Sequence, residues 1–158
     1  NLKKYNHIKS RILLIIDNKI IKDFHGLLEV KMKSKNIEIR RITFSKFEFN
    51  IHNTGEVEED GRASINLNLP DRNEGQENQL ILIKMEISYP DSQYQVTADI
   101  DAIYSVLVSD LPEDISKDSE FQQALITPII EKFRLYIGMF SEGAYGAILI
   151  PNLNFNQD

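Results

Sequence analysis

Residues 127–155 have the sequence TPIIEKFRLYIGMFSEGAYGAILIPNLNF, and this stretch decides the fold. Pro128 is typical of the first helical position, because its missing N–H would have no helical partner there, and Thr127 can cap the helix. Apolar side chains then recur at the three- or four-residue spacing of one helix face: Ile129, Ile130, Phe133, Tyr136, Ile137 and Phe140. The pattern predicts a helix that begins at Pro128 and is stopped by Gly143 at its C′ position.

The predicted helix is apolar on more than one side. Leu135 and Met139 are apolar and lie off the main stripe. A helix of this kind is buried on more than one side. We therefore expect one face to pack on a sheet and the other to contact another element or a second subunit. Residues 144–155 continue as an extended apolar segment that Pro151 interrupts.

Composition is that of an ordinary globular protein. The chain has 158 residues, of which 42% are hydrophobic, and this is enough for one domain with a core. A net charge of -6 argues against nucleic acid as a partner. The absence of Cys excludes disulfides and thiolate chemistry. The longest apolar run, residues 12–16, is too short to cross a bilayer, and no secretory signal is visible, so we expect a cytoplasmic protein without a membrane partner.

Residues 5–28 allow two interpretations. Their apolar positions, among them Ile8, Ile12, Ile16 and Phe24, fit a helix stripe without an interrupting Pro. Residues 17–19, Asp-Asn-Lys, could instead turn a hairpin between two Ile-rich strands. We favour the helix. The predicted domains are an N-terminal helical extension, residues 1–36, and a main domain, residues 37–158.

Four segments have the alternating apolar pattern of β-strands: residues 37–51, 62–69, 80–89 and 94–108. In the first of them the alternation slips twice, which requires bulges near Arg41 and near residues 45–46. Short turns predict an antiparallel meander. Ser119 with Gln122 forms a capping box that opens a short helix before Pro128. The fold class is therefore α+β, a four-stranded antiparallel sheet with a long helix packed on one face.

Catalytic and metal-binding constellations are not visible in the sequence. His7, His25 and His52 stand far apart and lack the spacing of metal ligands. Asp99 and Asp101 share one face of the fourth strand, where two carboxylates could raise one another's pKa, but a solvated strand face explains them better. We expect no enzymatic activity, no metal and no cofactor.

Residues 127–155 resemble the C-terminal half of the SecB family of export chaperones. In that family a long helix begins near a proline, carries an aromatic residue and an Arg, and ends at a glycine. An apolar segment then runs through a proline into Asn-Phe. The corresponding positions are Phe133, Arg134, Gly143, Tyr145, Ile150, Pro151, Asn154 and Phe155. The first predicted strand adds an Arg-Ile step and the pair Phe47-Glu48, so the resemblance covers residues 37–155.

The resemblance implies an ATP-independent holdase that binds non-native polypeptides and assembles as a dimer or a dimer of dimers. Aromatic residues exceed what one small core needs, so we expect some to line an apolar groove for clients: Phe44, Phe47, Tyr104, Tyr145 and Phe155. The oligomer interface would contain Phe133, Tyr136, Ile137 and Phe140. By the resemblance, Asp99 and Asp101 would contact a partner such as the translocation motor SecA. The alternative function is an adaptor dedicated to one protein partner, for example an antitoxin.

Overall fold

The computed structural model describes residues 10–17, 36–52 and 61–157, with side chains placed for 36–52 and 61–153. Six strands and one long helix make up this part of the chain. The strands are β1 (Ser10–Asp17), β2 (Ile37–Ile51), β3 (Gly61–Asn68), β4 (Asn78–Pro90), β5 (Tyr94–Leu107) and β6 (Asn154–Gln157). The helix is α1 (Ser119–Tyr145), which follows two 3-10 turns at Val108–Asp110 and Ile115–Lys117.

The strands form one antiparallel sheet in the order β2-β5-β4-β3-β1-β6. The predicted α+β fold is confirmed, because the sheet contains all four predicted strands and α1 packs on one face. The predicted meander holds for β3, β4 and β5 and is wrong for β2, which pairs with β5 instead of β3. The physical reason is that α1, which follows β5 along the chain, packs on the sheet. Beside β5, the half-buried aromatic face of β2 lies under α1 and is shielded from water.

Two bulges in β2 keep its apolar side chains on the face covered by α1. The register shifts between Ile39 and Arg41 and again between Phe44 and Lys46, which confirms both predicted bulges. Each bulge inserts one unpaired residue and so restores the phase that the sequence loses. The apolar residues of β2 thereby lie opposite the buried residues of β5, in the pairs Ile42–Ala102, Phe44–Ile100, Phe47–Ala98 and Phe49–Val96.

The core lies between α1 and one face of the sheet. Alternate residues of β3, β4 and β5 point into it, as the strand period of two requires, and α1 adds one stripe. Its largest fully buried side chains are Tyr104, Phe121, Phe133, Ile65, Ile81, Ile83, Met85, Ile100, Ile115, Leu125 and Ile129. Burying one such aliphatic or Phe side chain stabilises the fold by about 1.5–3 kcal/mol. The opposite face of β4 and β5 carries Lys84, Glu86, Asp99 and Asp101, which are exposed or half-buried.

Helix α1 begins earlier and ends later than the sequence predicts. Asp118 is the N-cap, and its carboxylate accepts a hydrogen bond from the Phe121 N–H at 2.9 Å. The two predicted helices are therefore one, and Pro128 lies inside it instead of at its start. The predicted stop at Gly143 is also wrong. Gly146 ends the helix because it adopts the left-handed conformation, with φ of 72°, and its N–H donates to the Glu142 carbonyl.

The predicted N-terminal helix is wrong over Ser10–Asp17, which forms strand β1. This strand pairs with β3, from Ser10 opposite Leu67 to Ile16 opposite Gly61, and also with β6. Its Ile-rich sequence suits a strand, and pairing satisfies the backbone groups along the second edge of β3. The rest of the predicted extension, including His7 and His25, lies outside the described residues. The division of the chain at residue 36 stays a prediction.

Candidate functional site

An aromatic cluster joins the edge strand β2 to α1. The ring centroids of Phe44 and Tyr136 are 4.6 Å apart, and those of Phe47 and Phe140 are 4.8 Å apart. Phe44 and Phe47 meet edge to face at 5.2 Å. The structure therefore brings together two predicted client-binding residues and two predicted interface residues. Each ring keeps part of its surface open, so these four residues remain available to a partner.

Lys132 fixes this cluster to the helix. Its ammonium group lies 5.9 Å from the centre of the Phe44 ring and donates a hydrogen bond to the Ile42 carbonyl. A cation over an aromatic face is attracted by the ring quadrupole. The lysine thus ties α1 to the backbone of β2 and covers part of the rim of the cluster.

Three predicted site residues lie inside the core. Tyr104, Phe133 and Ile137 are fully buried between the sheet and α1. The Tyr104 hydroxyl donates to the Leu125 carbonyl at 2.6 Å, and burial raises the pKa of Tyr104 above its usual value. The expectation that Tyr104 lines an open groove is wrong, as is the expectation that Phe133 and Ile137 form a subunit interface. Phe133 and Ile137 lie on the sheet-facing stripe of α1, and Tyr104 lies in strand β5.

Tyr145 anchors the C-terminal end of α1. Its hydroxyl donates to the Gln93 carbonyl in the turn between β4 and β5, at 2.8 Å. At the end of β4, burial and, to a smaller extent, the nearby Asp91 carboxylate raise the pKa of Tyr89 to about 12. Burial likewise raises the pKa of Tyr94, which stacks on Phe49 at 4.9 Å. Tyr145 thus has a structural partner, and its role in client binding stays a prediction.

The remaining predicted residues lie elsewhere. Phe155 is in β6, where it pairs with Ile16 of β1. Asp99 and Asp101 are half-buried on the face of β5 that points away from α1. The register places Asp99 between Lys46 of β2 and Glu86 of β4, and it places Asp101 between Thr43 and Lys84. These carboxylates therefore lie beside both acidic and basic residues of the neighbouring strands. Their partner-binding role stays a prediction.

The side of α1 that faces away from the sheet exposes large apolar side chains. Leu135 and Met139 on this side are 54% and 64% exposed, whereas Phe140, 46% exposed, packs on Phe47 of β2. Residues three and four apart are neighbours on a helix surface, so Met139 adjoins both Leu135 and the aromatic cluster at Tyr136. The sequence identified Leu135 and Met139 as apolar residues off the main stripe, and that was the signal for this surface.

After Gly146 the chain reverses and runs back along α1. We call residues 147–152 the return segment. The Leu149 N–H donates to the Ser141 hydroxyl oxygen at 2.8 Å, and Arg134 Nε donates to the Pro151 carbonyl at 2.7 Å. Its apolar side chains Ile148, Leu149 and Ile150 are 68%, 39% and 44% exposed. The return segment thus adds a second apolar surface beside the helix.

The two surfaces meet over Gly138. A Cβ atom on Gly138 would lie 3.0 Å from Ile150 Cγ1 and 3.2 Å from Ile148 Cγ2, and Leu135 is the helical neighbour three residues before it. We call the combined surface the outer patch: Leu135, Met139, Ile148, Leu149 and Ile150. An apolar surface on the order of several hundred Å² is typical of an interaction site.

Within residues 10–17, 36–52 and 61–157, no three His, Asp or Glu side chains are grouped so that they could hold a metal ion. Among these same residues no helix is both long and apolar enough to cross a membrane.

Comparisons with known proteins bear on the fold. No protein-family model and no curated protein matches the chain. A solved protein of unknown function from Streptococcus agalactiae has a TM-score of 0.63 at 11% sequence identity, over 75% of this chain and 98% of that one. The Mycobacterium tuberculosis SecB-like chaperone Rv1957, in complex with a ChAD peptide from the antitoxin Rv1956 HigA1, has a TM-score of 0.40 at 10% identity, over 80% of this chain and 98% of that one. The first likeness is one of fold.

Proposed function

We propose that the protein is an ATP-independent chaperone that binds apolar segments of other polypeptides through the outer patch. The observation that carries this proposal is the exposure of large apolar side chains on one side of a helix whose other side is fully packed. A folded domain has no packing reason to leave such a surface open, and contiguous apolar patches mark protein-binding sites. The sequence resemblance of residues 37–155 to the SecB family supports the same function.

The chemistry of the outer patch suits binding better than catalysis. Aliphatic side chains offer contact area without nucleophile, acid or base, and Met139 is flexible enough to fit partners of different shape. Exposed Glu142 adjoins the patch, and Glu131 and Lys132 lie one turn or more before it on α1. Charges at the rim of an apolar surface keep the protein soluble while the surface stays open.

The alternative function is an adaptor that serves a single protein partner. The compact shape of the outer patch favours this alternative, because the patch is confined to one side of α1 and the return segment. A general holdase gains from a long groove that accepts many sequences. The two functions differ in the number of unrelated clients that the protein protects.

The test is suppression of aggregation without nucleotide. Reduced lysozyme and a second unrelated protein are diluted from denaturant into the purified protein, and light scattering is followed. We expect suppression by the wild type, loss of suppression in Leu135→Ser, and full suppression in the control Leu107→Ser, which makes the same change at a side chain 36% exposed at the end of β5. No suppression by the wild type, or equal loss in both variants, would contradict the proposal. Suppression of one client alone would favour the adaptor.

We also propose that the protein self-associates through the aromatic cluster, with Tyr136 and Phe140 as interface residues. Support comes from the position of β2, which pairs on one side with β5 and carries half-exposed rings. Sedimentation of the wild type at roughly tens of micromolar, the range of moderate affinities, tests the proposal, and Phe140→Ser should shift the mass toward that of a monomer. A strictly monomeric wild type would contradict it.

Contact of Asp99 and Asp101 with a motor such as SecA, and a role in export, are further proposals that direct binding measurements would test.

A further inference from the structure

The return segment is held on α1 by polar contacts more than by burial of its side chains. Ile148 and Ile150 pack over Gly138 yet leave much of their surface open. Each end of the segment is anchored separately. At one end the Gly146 N–H donates to the Glu142 carbonyl at 2.8 Å, and at the other end Leu153 is buried. The position of the segment between these anchors therefore depends on its contacts with α1.

Helix α1 offers three residues at the spacing of one face, namely Arg134, Gly138 and Ser141. Gly138 leaves room for the close approach of the segment. The Ser141 hydroxyl donates its proton to the Gly138 carbonyl at 2.8 Å, which leaves its oxygen free to accept the Leu149 N–H. Ser141 is buried, so the hydroxyl satisfies a backbone donor of the segment away from solvent.

Arg134 makes the most specific of these contacts. It is buried, its Nη1 donates to Glu131 Oε1 at 2.6 Å, and its Nε donates to the Pro151 carbonyl at 2.7 Å. A buried guanidinium is stable only when it is paired, and Glu131 supplies the counter-charge one helical turn away. A second donor, the Nε–H group, is directed at the backbone of the return segment. Pro151 has no N–H, so its carbonyl is its one backbone hydrogen-bonding group.

We propose that Arg134 is a positioning residue of the outer patch. Together with Ser141 it fixes the return segment on α1 and presents Ile148, Leu149 and Ile150 beside Leu135 and Met139. The consequence for polypeptide binding rests on the proposed function, whereas the consequence for the return segment does not. Loss of the contact from Arg134 releases residues 147–152 locally, since both ends of the segment stay anchored.

Hydrogen–deuterium exchange of the full chain tests the positioning role. Arg134→Ala removes the hydrogen bond to Pro151, Arg134→Lys keeps the charge but not the planar fork, and Ser141→Ala removes one hydroxyl from the contact to Leu149. We expect exchange of the Leu149 amide, the protected N–H of the return segment, to rise roughly tenfold to a hundredfold in Arg134→Ala, since hydrogen bonds to charged groups are the stronger class. We expect a smaller rise in Arg134→Lys. Ser141→Ala removes the acceptor of the Leu149 N–H and shows the exchange of the unprotected amide. Amides of β4 serve as the control and should be unchanged.

The possible outcomes distinguish failure of the positioning role of Arg134 from failure of the proposed function. Wild-type exchange of the Leu149 amide in Arg134→Ala would overturn the positioning role. If Arg134→Ala raises exchange throughout the sheet as well, Arg134→Lys decides, because it keeps the charge beside Glu131 and removes the Nε donor to the Pro151 carbonyl. Aggregation suppression is measured on the same variants, and an unchanged value with a released segment would overturn the part played by Arg134 in binding. If the wild type suppresses no aggregation, the proposed function fails, and the exchange result still decides the positioning role.

Discussion

Replacing Tyr104 with Phe removes one buried hydroxyl and decides whether this residue stabilises the core or binds clients. Tyr104 lies in β5 and is fully buried, and its hydroxyl donates to the Leu125 carbonyl of α1 at 2.6 Å. Leu125 precedes Pro128 by three residues. Proline cannot donate the helical hydrogen bond at its own position, so the helix is weakened there. The hydroxyl of Tyr104 thus ties α1 to the sheet where the helix has least support of its own.

The expected change in the free energy of unfolding follows from this geometry. Phe keeps the ring and its packing, so no cavity larger than one oxygen is created. The lost hydrogen bond is worth about 0.5–1.5 kcal/mol. The Leu125 carbonyl stays in the helix but no longer accepts a hydrogen bond from residue 104. We expect Tyr104→Phe to unfold about 1–1.5 kcal/mol more easily. For a chain of this length that lowers Tm by about 2–6 °C.

Urea denaturation followed by circular dichroism measures the change. Tyr136→Phe is the matched control, because among the described residues the Tyr136 hydroxyl has no hydrogen-bond partner, and it should alter stability by less than about 0.5 kcal/mol. Aggregation suppression by folded Tyr104→Phe should equal that of the wild type. Unaltered stability together with weaker suppression would refute the assignment of Tyr104 to the core.

Three further predictions concern α1 and the buried tyrosines. Pro128→Ala should stabilise the protein by about 1–3 kcal/mol in urea denaturation, because Ala restores the helical donor and suits a helix interior better than Pro; a loss of stability would show that the packing of the proline ring outweighs this gain. Gly138→Leu should raise amide exchange in residues 147–152 with little change in Tm, because its side chain would enter the space of Ile148 and Ile150; unchanged exchange would show that the contact is not tight. Because the fold raises the pKa of Tyr89, Tyr94 and Tyr104, it favours their neutral forms, so stability is complete below pH 10.0 and is lost as the pH rises through about 12. Tyrosinate absorbance should show Tyr89, Tyr94 and Tyr104 ionising late, together with unfolding, and titration of these three near the usual pKa of tyrosine would contradict their burial.

Strands β2 to β5 were predictable because their pattern is local. Alternation of apolar residues depends only on the strand period of two, and in β2 even the two interruptions of that period correspond to bulges. The order of the strands was not predictable in the same way. The sequence of β2 contains no local signal that selects β5 as its partner. The pairing of β2 with β5 depends on the position of α1 and is known from the structure.

The ends of α1 were missed because two plausible signals competed at each end. Pro128 and the Ser119–Gln122 capping box both suit the start of a helix. The structure begins the helix at Ser119, with Asp118 as the N-cap whose carboxylate accepts from the Phe121 N–H. Gly143 and Gly146 both suit the end, and only Gly146 adopts a left-handed conformation. A glycine or proline permits a helix boundary, while the tertiary contacts of the neighbouring residues decide whether the boundary forms.

The candidate site was predicted in part for a related reason. Sequence spacing separates one helix stripe from another, but it does not say which stripe meets the sheet. Phe133 and Ile137 proved to be core residues, whereas Leu135 and Met139, off the main stripe, are exposed. The return segment was expected to be extended and apolar, but its contact with Arg134 depends on a reversal at Gly146 that no periodic pattern indicates.

Strand β1 shows how an ambiguous sequence acquires its structure from a distant partner. Residues 10–17 fit a helix stripe, and their Ile-rich composition fits a strand equally well. The edge of β3 that faces away from β4 would otherwise present unpaired N–H and C=O groups, which only another strand can satisfy along its length. β1 satisfies them from Gly61 to Leu67, and its own second edge pairs with β6. Among the described strands β6 pairs with β1 alone, so the chain that leaves the return segment enters the sheet through the N-terminal strand.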